Sequence, residues 1–437
     1  MNEVKNHDIT QVVTQNLCHS CGACFASCGH GSISFEESIG GFIVPKIEYQ
    51  SCTNCGLCFD VCAGDHFGST LQKQNFIDPF IGNIMSSEVG KASDPTIYMQ
   101  GQSGGVTTAL LASMLDTKQI EIALVAVMGK GEVPRGEFEL IKNSKELYKS
   151  QRSKYTPIPL LKAIQKLKNT QGTIAIVGLS CHYHGLQNLM DVYSWLAQKE
   201  IIKIGLICDR VMSTRAIDFI AMQVTDKKIK NIIFRDTQRT SYPGQPVVIT
   251  NEEDIITLPR SVRIYMKDFF TPLRCRLCFD KLNTFADIVM GDPHNIESTD
   301  RENGETLVLV RTDKGKEVLQ REKQNGSIEL RDVNMQDALN GQKIDQKKEE
   351  WSQYMNIWKE LGHKIPEYPF DFVKKLVKKK EILKLQHALT LDTYSSKEKL
   401  LIDAQRYYYK KKSLFLVKFW GKKMIKKLLG FFHDDRD

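Results

Sequence analysis

The sequence predicts an α+β chain in three parts: a small cysteine-rich N-terminal region, a larger α/β body and a helical, basic C-terminal extension. Three observations carry this reading. Eight of the 12 cysteines fall in two identical runs that end at Cys62. Apolar runs of strand length, such as TIAIVG and IIKIGLI, follow in the middle of the chain. The last stretch is rich in helix formers and lysine. With 437 residues, 41% hydrophobic and 26% charged, the balance is that of an ordinary globular protein. Disorder throughout, collagen-like repeats and a membrane bundle are excluded. In a chain this long the cysteines are too sparse for a disulfide scaffold, so their spacing decides their role.

Residues 1–75 form the first predicted unit. CHSCGACFASC places Cys18, Cys21, Cys24 and Cys28 as C-x2-C-x2-C-x3-C, and CTNCGLCFDVC repeats the spacing at Cys52, Cys55, Cys58 and Cys62. A thiolate run at this pitch wraps three corners of a cubane cluster, and its fourth cysteine caps the other cluster. One 4Fe-4S cluster then takes Cys18, Cys21, Cys24 and Cys62, and the second takes Cys52, Cys55, Cys58 and Cys28. The region resembles a bacterial-type two-cluster ferredoxin domain. That family usually has proline after the fourth cysteine, where this chain has Gly29 and Ala63. Zinc is the alternative, but a third cysteine two residues beyond a C-x2-C pair suits four-ligand zinc poorly. Between the runs, SISFEESIGGFIVPKIEYQ alternates around Gly40 and Gly41 and reads as a β-hairpin.

Residues 76–170 and 171–345 are the expected N-terminal and C-terminal parts of the body. Cys181 and Cys208 each follow an apolar run, at the strand ends where open α/β sheets place ligands. Cys275 and Cys278 form a C-x2-C pair. These four either converge on a third 4Fe-4S cluster or include buried core cysteines, which are common. Ser103-Gly104-Gly105 precedes a helix-like run. Such a turn either admits a phosphate to the helix start or is plain turn punctuation. No Rossmann fingerprint occurs.

Taken together, these segments resemble the beta subunits of coenzyme F-420 hydrogenases and dehydrogenases. The matching residues are Ser103-Gly104-Gly105 with Thr107, Ser153-Lys154-Tyr155, Gly178 to Leu186 around Cys181, Cys208, Arg274-Cys275-x-x-Cys278, Ala286-Asp287-Ile288 and Gly291-Asp292. The resemblance covers about residues 1–300. It implies a non-Rossmann α/β FAD-binding domain, with the Ser-Gly-Gly turn and Thr107 near the FAD phosphates. Ser153, Lys154 and Tyr155 would then lie near the flavin, and the four scattered cysteines would hold a cluster beside it. Relatives oxidise or reduce the deazaflavin coenzyme F-420. Others reduce chlorophyll precursors with ferredoxin electrons, and many bacterial members accompany surface-polysaccharide genes. Two departures concern the substrate side. Ser180 stands where proline is frequent, and Pro293-His294 follows Gly291-Asp292 where tryptophan is frequent. His182 and His184 are candidate proton donors or else structural histidines. Lys154 is a candidate stabiliser of an anionic reduced ring or else a solvated lysine, and Arg152 carries the same pair of readings.

Residues 346–437 are the expected helical basic tail. Residues 371–437 hold 18 Lys and Arg against 8 Asp and Glu, so the chain's net +8 belongs to the tail and the remainder is near neutral. Trp351 and Trp358 suit one amphipathic helix. Val417, Trp420, Met424, Leu428 and Phe431 recur at helical spacing among lysines. Such a helix docks on an anionic membrane surface or a partner, or packs on its own body. Nothing suggests a nucleic-acid module. The N-terminus has no signal-like run and the chain no spanning segment, so a cytoplasmic protein, peripheral at most to the inner membrane face, is expected.

The expected function is an FAD- and iron–sulfur-dependent oxidoreductase with three 4Fe-4S clusters. It would have a redox partner (ferredoxin or reduced deazaflavin) and a small-molecule substrate, either F-420 or a biosynthetic, polysaccharide-pathway intermediate. The alternative is an electron-transfer subunit that relays electrons to a partner enzyme.

Overall fold

The computed structural model describes residues 7–65, 76–224, 227–297, 300, 302–366, 368, 370 and 376–431. Each cysteine run folds as a loop entering one helical turn, Ala23–Ser27 in the first and Leu57–Asp60 in the second. The expected hairpin lies between them: β1 (Ile33–Glu37) pairs antiparallel with β2 (Ile43–Ile47).

The body is built on a mixed eight-stranded sheet. Its strands are β3 (Ser86–Ala92), β4 (Ile122–Met128), β5 (Gly136–Ile141), β6 (Ile174–Gly178), β7 (Ile201–Leu206), β11 (Ile288–Gly291), β12 (Thr306–Val310) and β13 (Ile328–Asp332). Their order is β13-β3-β12-β11-β7-β6-β4-β5. The middle strands β4, β6, β7 and β11 run parallel, and both flanks are antiparallel. Val, Ile and Leu fill the middle strands because both sheet faces are covered. One face meets a core that includes Leu110, Met114, Val125 and Val308. The other joins a core running from Leu124 and Ile176 through Cys21, Cys24 and Cys62 to Trp351 and Trp358. The cysteine-rich region is therefore packed on the sheet and not tethered to it. Hydrogen bonds tie the seam: Leu161 N–H to Cys21 O, the Asn188 amide to Val61 O and Tyr193 Oη–H to Ser27 O.

A second unit, β8 (Ile229–Asp236), β9 (Gln245–Thr250) and β10 (Ile255–Thr257), forms a small antiparallel sheet. Its core takes in Phe219 and Phe270, and the C-terminal helix Lys397–Phe431 adds Leu400, Ala404 and Tyr408. Trp351 and Trp358 lie on one helix, Ile344–Glu360, and both are fully buried. In the far half of the C-terminal helix, Val417 is exposed. The side chains of Trp420, Met424, Leu428 and Phe431 lie outside the described residues. Among the described residues no helix is long and apolar enough to cross a membrane.

Candidate functional site: cysteine groups leading to a cavity

The two cysteine loops are copies in conformation as well as spacing. Ser20 and Asn54 both hold positive φ, at 57° and 55°, and each donates its backbone N–H to the first sulfur of its run, Cys18 and Cys52. Gly22 and Gly56 follow at φ 91° and 79°, a region glycine enters without steric cost, and each starts its helical turn. Ser32 N–H and Gly64 N–H donate to the sulfurs of Cys28 and Cys62. Bonds of this kind are placed to stabilise thiolate charge, which in iron–sulfur proteins tunes the potential.

All 12 cysteines are free thiols. Burial raises the Cys24 thiol, and Cys18, Cys21, Cys62 and Cys58 stand near enough to raise it further. Burial, then Cys21 and Cys18, does the same to Cys62. Burial pushes Cys58 up to about 11, with Asp8, Cys55 and Cys52 adding to it, while Cys55 and Cys28 both act on the Tyr193 phenol. The four scattered cysteines form a third group. Burial raises Cys181, and Cys21, Cys208, Cys278 and Cys275 act on it in that order. Among the described residues no three His, Cys, Asp or Glu side chains are set to hold a single metal ion.

The third group is assembled by the sheet. Cys181 starts the helix Ser180–Val192 just past β6, and Cys208 lies two residues beyond β7. Gly185 lies one turn after Cys181 on that helix. A Cβ there would stand 3.0 Å from Ala23 Cβ and 3.4 Å from Cys21 Sγ, so its absence lets the helix approach the first cysteine loop. Asp280 locks the far side. Its carboxylate is almost fully buried and accepts from Thr284 N–H and Oγ1–H and pairs with His184 Nε2 at 2.9 Å, while its carbonyl accepts from Ser180. Arg274, also buried, bonds Gly64 O in the first region and Tyr368 Oη.

Beside this group opens a half-enclosed cavity of about 270 Å³, at the C-terminal ends of the parallel strands. Val125, Val177, Leu206 and Met290 give it an apolar floor, and Cys208 lies in its wall. Ser103 and Gly105 of the Ser103-Gly104-Gly105 turn line it. Both glycines have positive φ, and Gly105 starts the helix Val106–Asp116 with no side-chain cap. Thr107 lines the cavity with Ser153, Lys154 and Tyr155. Gln102, which no sequence motif marks, clamps the two segments: its Oε1 accepts from Ser153 N–H and its Nε2 donates to Ser153 Oγ.

The candidate proton carriers are differently employed. Lys154 donates to the carbonyls of Ser150, Gln151 and Arg152 at 2.7, 3.0 and 2.9 Å, so the ammonium organises its own loop and has no donor left for a ring. Burial, with Arg152 beside it, pushes this amine down to about 7. His182 lines the cavity, but its Nδ1 accepts from Leu179 N–H and its Nε2 bonds Ile158 O. Burial pushes it down to about 4, a neutral ring with both nitrogens engaged. His184 is held by Asp280 between Phe279 and Phe285, away from the cavity wall. Arg152 reaches Gln100 O and Asp236 and is neither free nor fully solvated.

A two-run cysteine region packed on an α/β body, with further cysteines at parallel strand ends, defines an iron–sulfur oxidoreductase. The chain belongs to the family of coenzyme F420 hydrogenase/dehydrogenase beta subunits. The family's N-terminal model matches residues 88–165 and its C-terminal model residues 171–336, and a 4Fe-4S dicluster domain matches residues 17–65. A component of the F(420)H(2) dehydrogenase of Methanosarcina mazei is 23% identical over 312 residues, 70% of this chain and 82% of its own length. The coenzyme F420-dependent sulfite reductase of Methanocaldococcus jannaschii is 24% identical over 346 residues, 75% of this chain but 49% of its own length. A chain of the F420-reducing NiFe hydrogenase complex from Methanosarcina barkeri shares the fold, with a TM-score of 0.51 at 17% identity, over 65% of this chain and 94% of that chain.

Proposed function

We propose that the chain is an FAD-dependent oxidoreductase that moves electrons between its surface and the cavity, where a small-molecule substrate is oxidised or reduced. The observation that carries the reading is the position of Cys181 and Cys208. Cys181, a member of the third cysteine group, is near enough to Cys21 of the first run for their charges to interact, and Cys208 of the same group forms part of the cavity wall. Within the N-terminal region Cys55 is exposed, whereas Cys21, Cys24 and Cys62 are buried.

The residues present fit both kinds of group. Three sets of four thiols match three 4Fe-4S clusters. For FAD, the helix start at Val106 and Thr107, which has no side-chain cap, offers backbone N–H groups to phosphates, and the apolar floor suits a ring. Thr156 Oγ1, buried in the cavity lining, has no hydrogen-bond partner among the described residues and would find one in a ligand. FAD bound there would exchange electron pairs with the substrate and single electrons with the clusters. The protein's own part is to fix this surface: Gln102 and Lys154 hold the 150–155 loop, and His182, neutral and doubly bonded, keeps the wall rigid and uncharged. The substrate is F-420 or a biosynthetic intermediate such as a sugar, and the redox partner, ferredoxin or reduced deazaflavin, docks near Cys55.

Anaerobic purification with iron and flavin assay tests the reading: about twelve irons per chain and one FAD are expected. A colourless zinc protein would sink it. A second reading, a relay subunit without its own substrate, draws on relatives named as hydrogenase subunits. Flavin bleaching by reduced F-420 or by reduced ferredoxin in the isolated chain, followed by absorbance, names the donor. A flavin that is bleached only when a partner enzyme is added favours the relay.

A further inference from the structure

Above the cavity, the small sheet and the 152 turn bring several guanidinium groups together. Arg152 lines the cavity. Arg235, at the end of β8 and only 4% exposed, reaches two cavity residues, Tyr155 Oη at 3.2 Å and the Asp292 carboxylate at 2.7 Å. Arg263, on the helical turn Ser261–Ile264, lies over the Tyr155 ring at 5.5 Å. Exposed Arg239 and Arg260 flank the group. Against these five arginines stand Asp236, shared by Arg239 and Arg152, and Asp292. Among the described residues Arg263 pairs with no carboxylate, and Nη2 of Arg235 and Nε of Arg263 are buried without an acceptor.

Unpaired buried guanidinium nitrogens are costly, and close like charges add to the cost. Burial, with Arg235 and Arg260, presses the Arg263 guanidinium to give up its charge, and Tyr155 and Asp292 offset this only in part. The planar forks of arginine match the paired oxygens of phosphate and carboxylate, and such charge-assisted bonds gain strength in a shielded site. The body of the chain is otherwise near charge balance, so the excess here is local and not a general basic surface.

We propose that Arg152, Arg235 and Arg263 form an anion subsite at the mouth of the cavity, which takes the phosphate or carboxylate end of the substrate. This rests on the reading of the cavity as the place of turnover. It assigns the substrate class: a molecule with an anionic end held by arginine and a reactive part lying deeper, on the apolar floor.

The test is calorimetric titration of inorganic pyrophosphate into the anaerobically purified full chain, with flavin content measured in parallel. Saturable binding is expected. Arg263→Gln should weaken it at least tenfold, Arg263→Lys should recover most of it, and flavin per chain should stay the same in all three. No binding by the parent chain, or equal binding by Arg263→Gln, overturns the subsite. Flavin lost from Arg263→Gln overturns the assignment to substrate and gives the arginines to the cofactor's own phosphates. A parent chain without flavin sinks the turnover reading alone, since the titration still reads the arginines.

Discussion

The two cysteine runs and the four scattered cysteines are brought together by opposite means. In the runs, each loop supplies three sulfurs from seven consecutive residues, and its shape is set by local backbone: a positive-φ residue, a glycine and one helical turn. In the third group, the sulfurs come from the ends of β6 and β7 and from the helical turn Leu273–Arg276. Nothing local holds them. Their positions depend on sheet register and on buried polar groups, chiefly Asp280 and Arg274. The local site should therefore answer to changes of backbone conformation, and the assembled site to changes in buried polarity.

The largest expected effect is on the assembled site. Asp280→Ala takes an acceptor from His184 and from Thr284, both buried. Loss of such partners costs about 3 kcal/mol. Iron should fall by about a third, the share of one cluster in three, while the spectrum of the N-terminal pair persists. Uniform loss from all three sites, read by iron assay and electron paramagnetic resonance, would break the distinction.

Next come the matched glycines. A Cβ on Gly22 would stand 2.9 Å from Lys162 N and Pro159 O, which are backbone atoms that cannot yield. A Cβ on Gly56 would stand 2.7 Å from His7 Cδ2, an exposed side chain that can move. Both substitutions carry the positive-φ penalty of about 1–2 kcal/mol, and Gly22→Ala adds overpacking of about 1–2 kcal/mol more. Thermal melts should rank Gly22→Ala clearly below Gly56→Ala, and the reverse order would mean that the first loop is not wedged against the body.

A third difference is pH dependence. Unfolded, Lys154 keeps its proton to near pH 10, whereas in the fold the amine releases it near 7. Between those values the unfolded chain binds the extra proton, so stability rises with pH by up to about 1.4 kcal/mol per unit. Lys154→Met should flatten that rise in melts taken at pH 7 to 9.5. An unchanged slope would show that the amine is not the titrating group.

These contrasts explain what the sequence could disclose. The runs were readable because ligand order and local geometry are the same information. The strand ends before Cys181 and Cys208 were readable too, since β6 and β7 are continuous apolar runs. Their convergence with Cys275 and Cys278 stayed open on spacing alone and followed only from the family resemblance, because it depends on β7 pairing with both β6 and β11. The catalytic expectations fared least well. Lys154, His182 and His184 have the right chemistry, yet each is consumed by hydrogen bonds to partners that no spacing rule reveals. Gln102, Asp280, Arg235 and Arg263 went unnoticed because a lone polar residue carries no pattern. Only the fold shows that Arg235 meets Tyr155 across about eighty residues of sequence.

The smallest expected effect concerns the tail, which belongs to neither kind of site. Leu400, Ala404 and Tyr408 bury the first turns of the C-terminal helix against Phe219 and its neighbours. Beyond them, Leu414, Phe415 and Val417 are at least half exposed, among Lys410, Lys411 and Lys412. Ending the chain after Lys412 should cost no more than about 0.5 kcal/mol, the range of a surface change, and leave iron content intact. A basic helix with apolar residues should nonetheless bind anionic vesicles, and sedimentation with them should be lost on truncation. If the shortened protein instead melts several degrees lower, the tail packs on the body, and its lysines are a solvated face with no docking role.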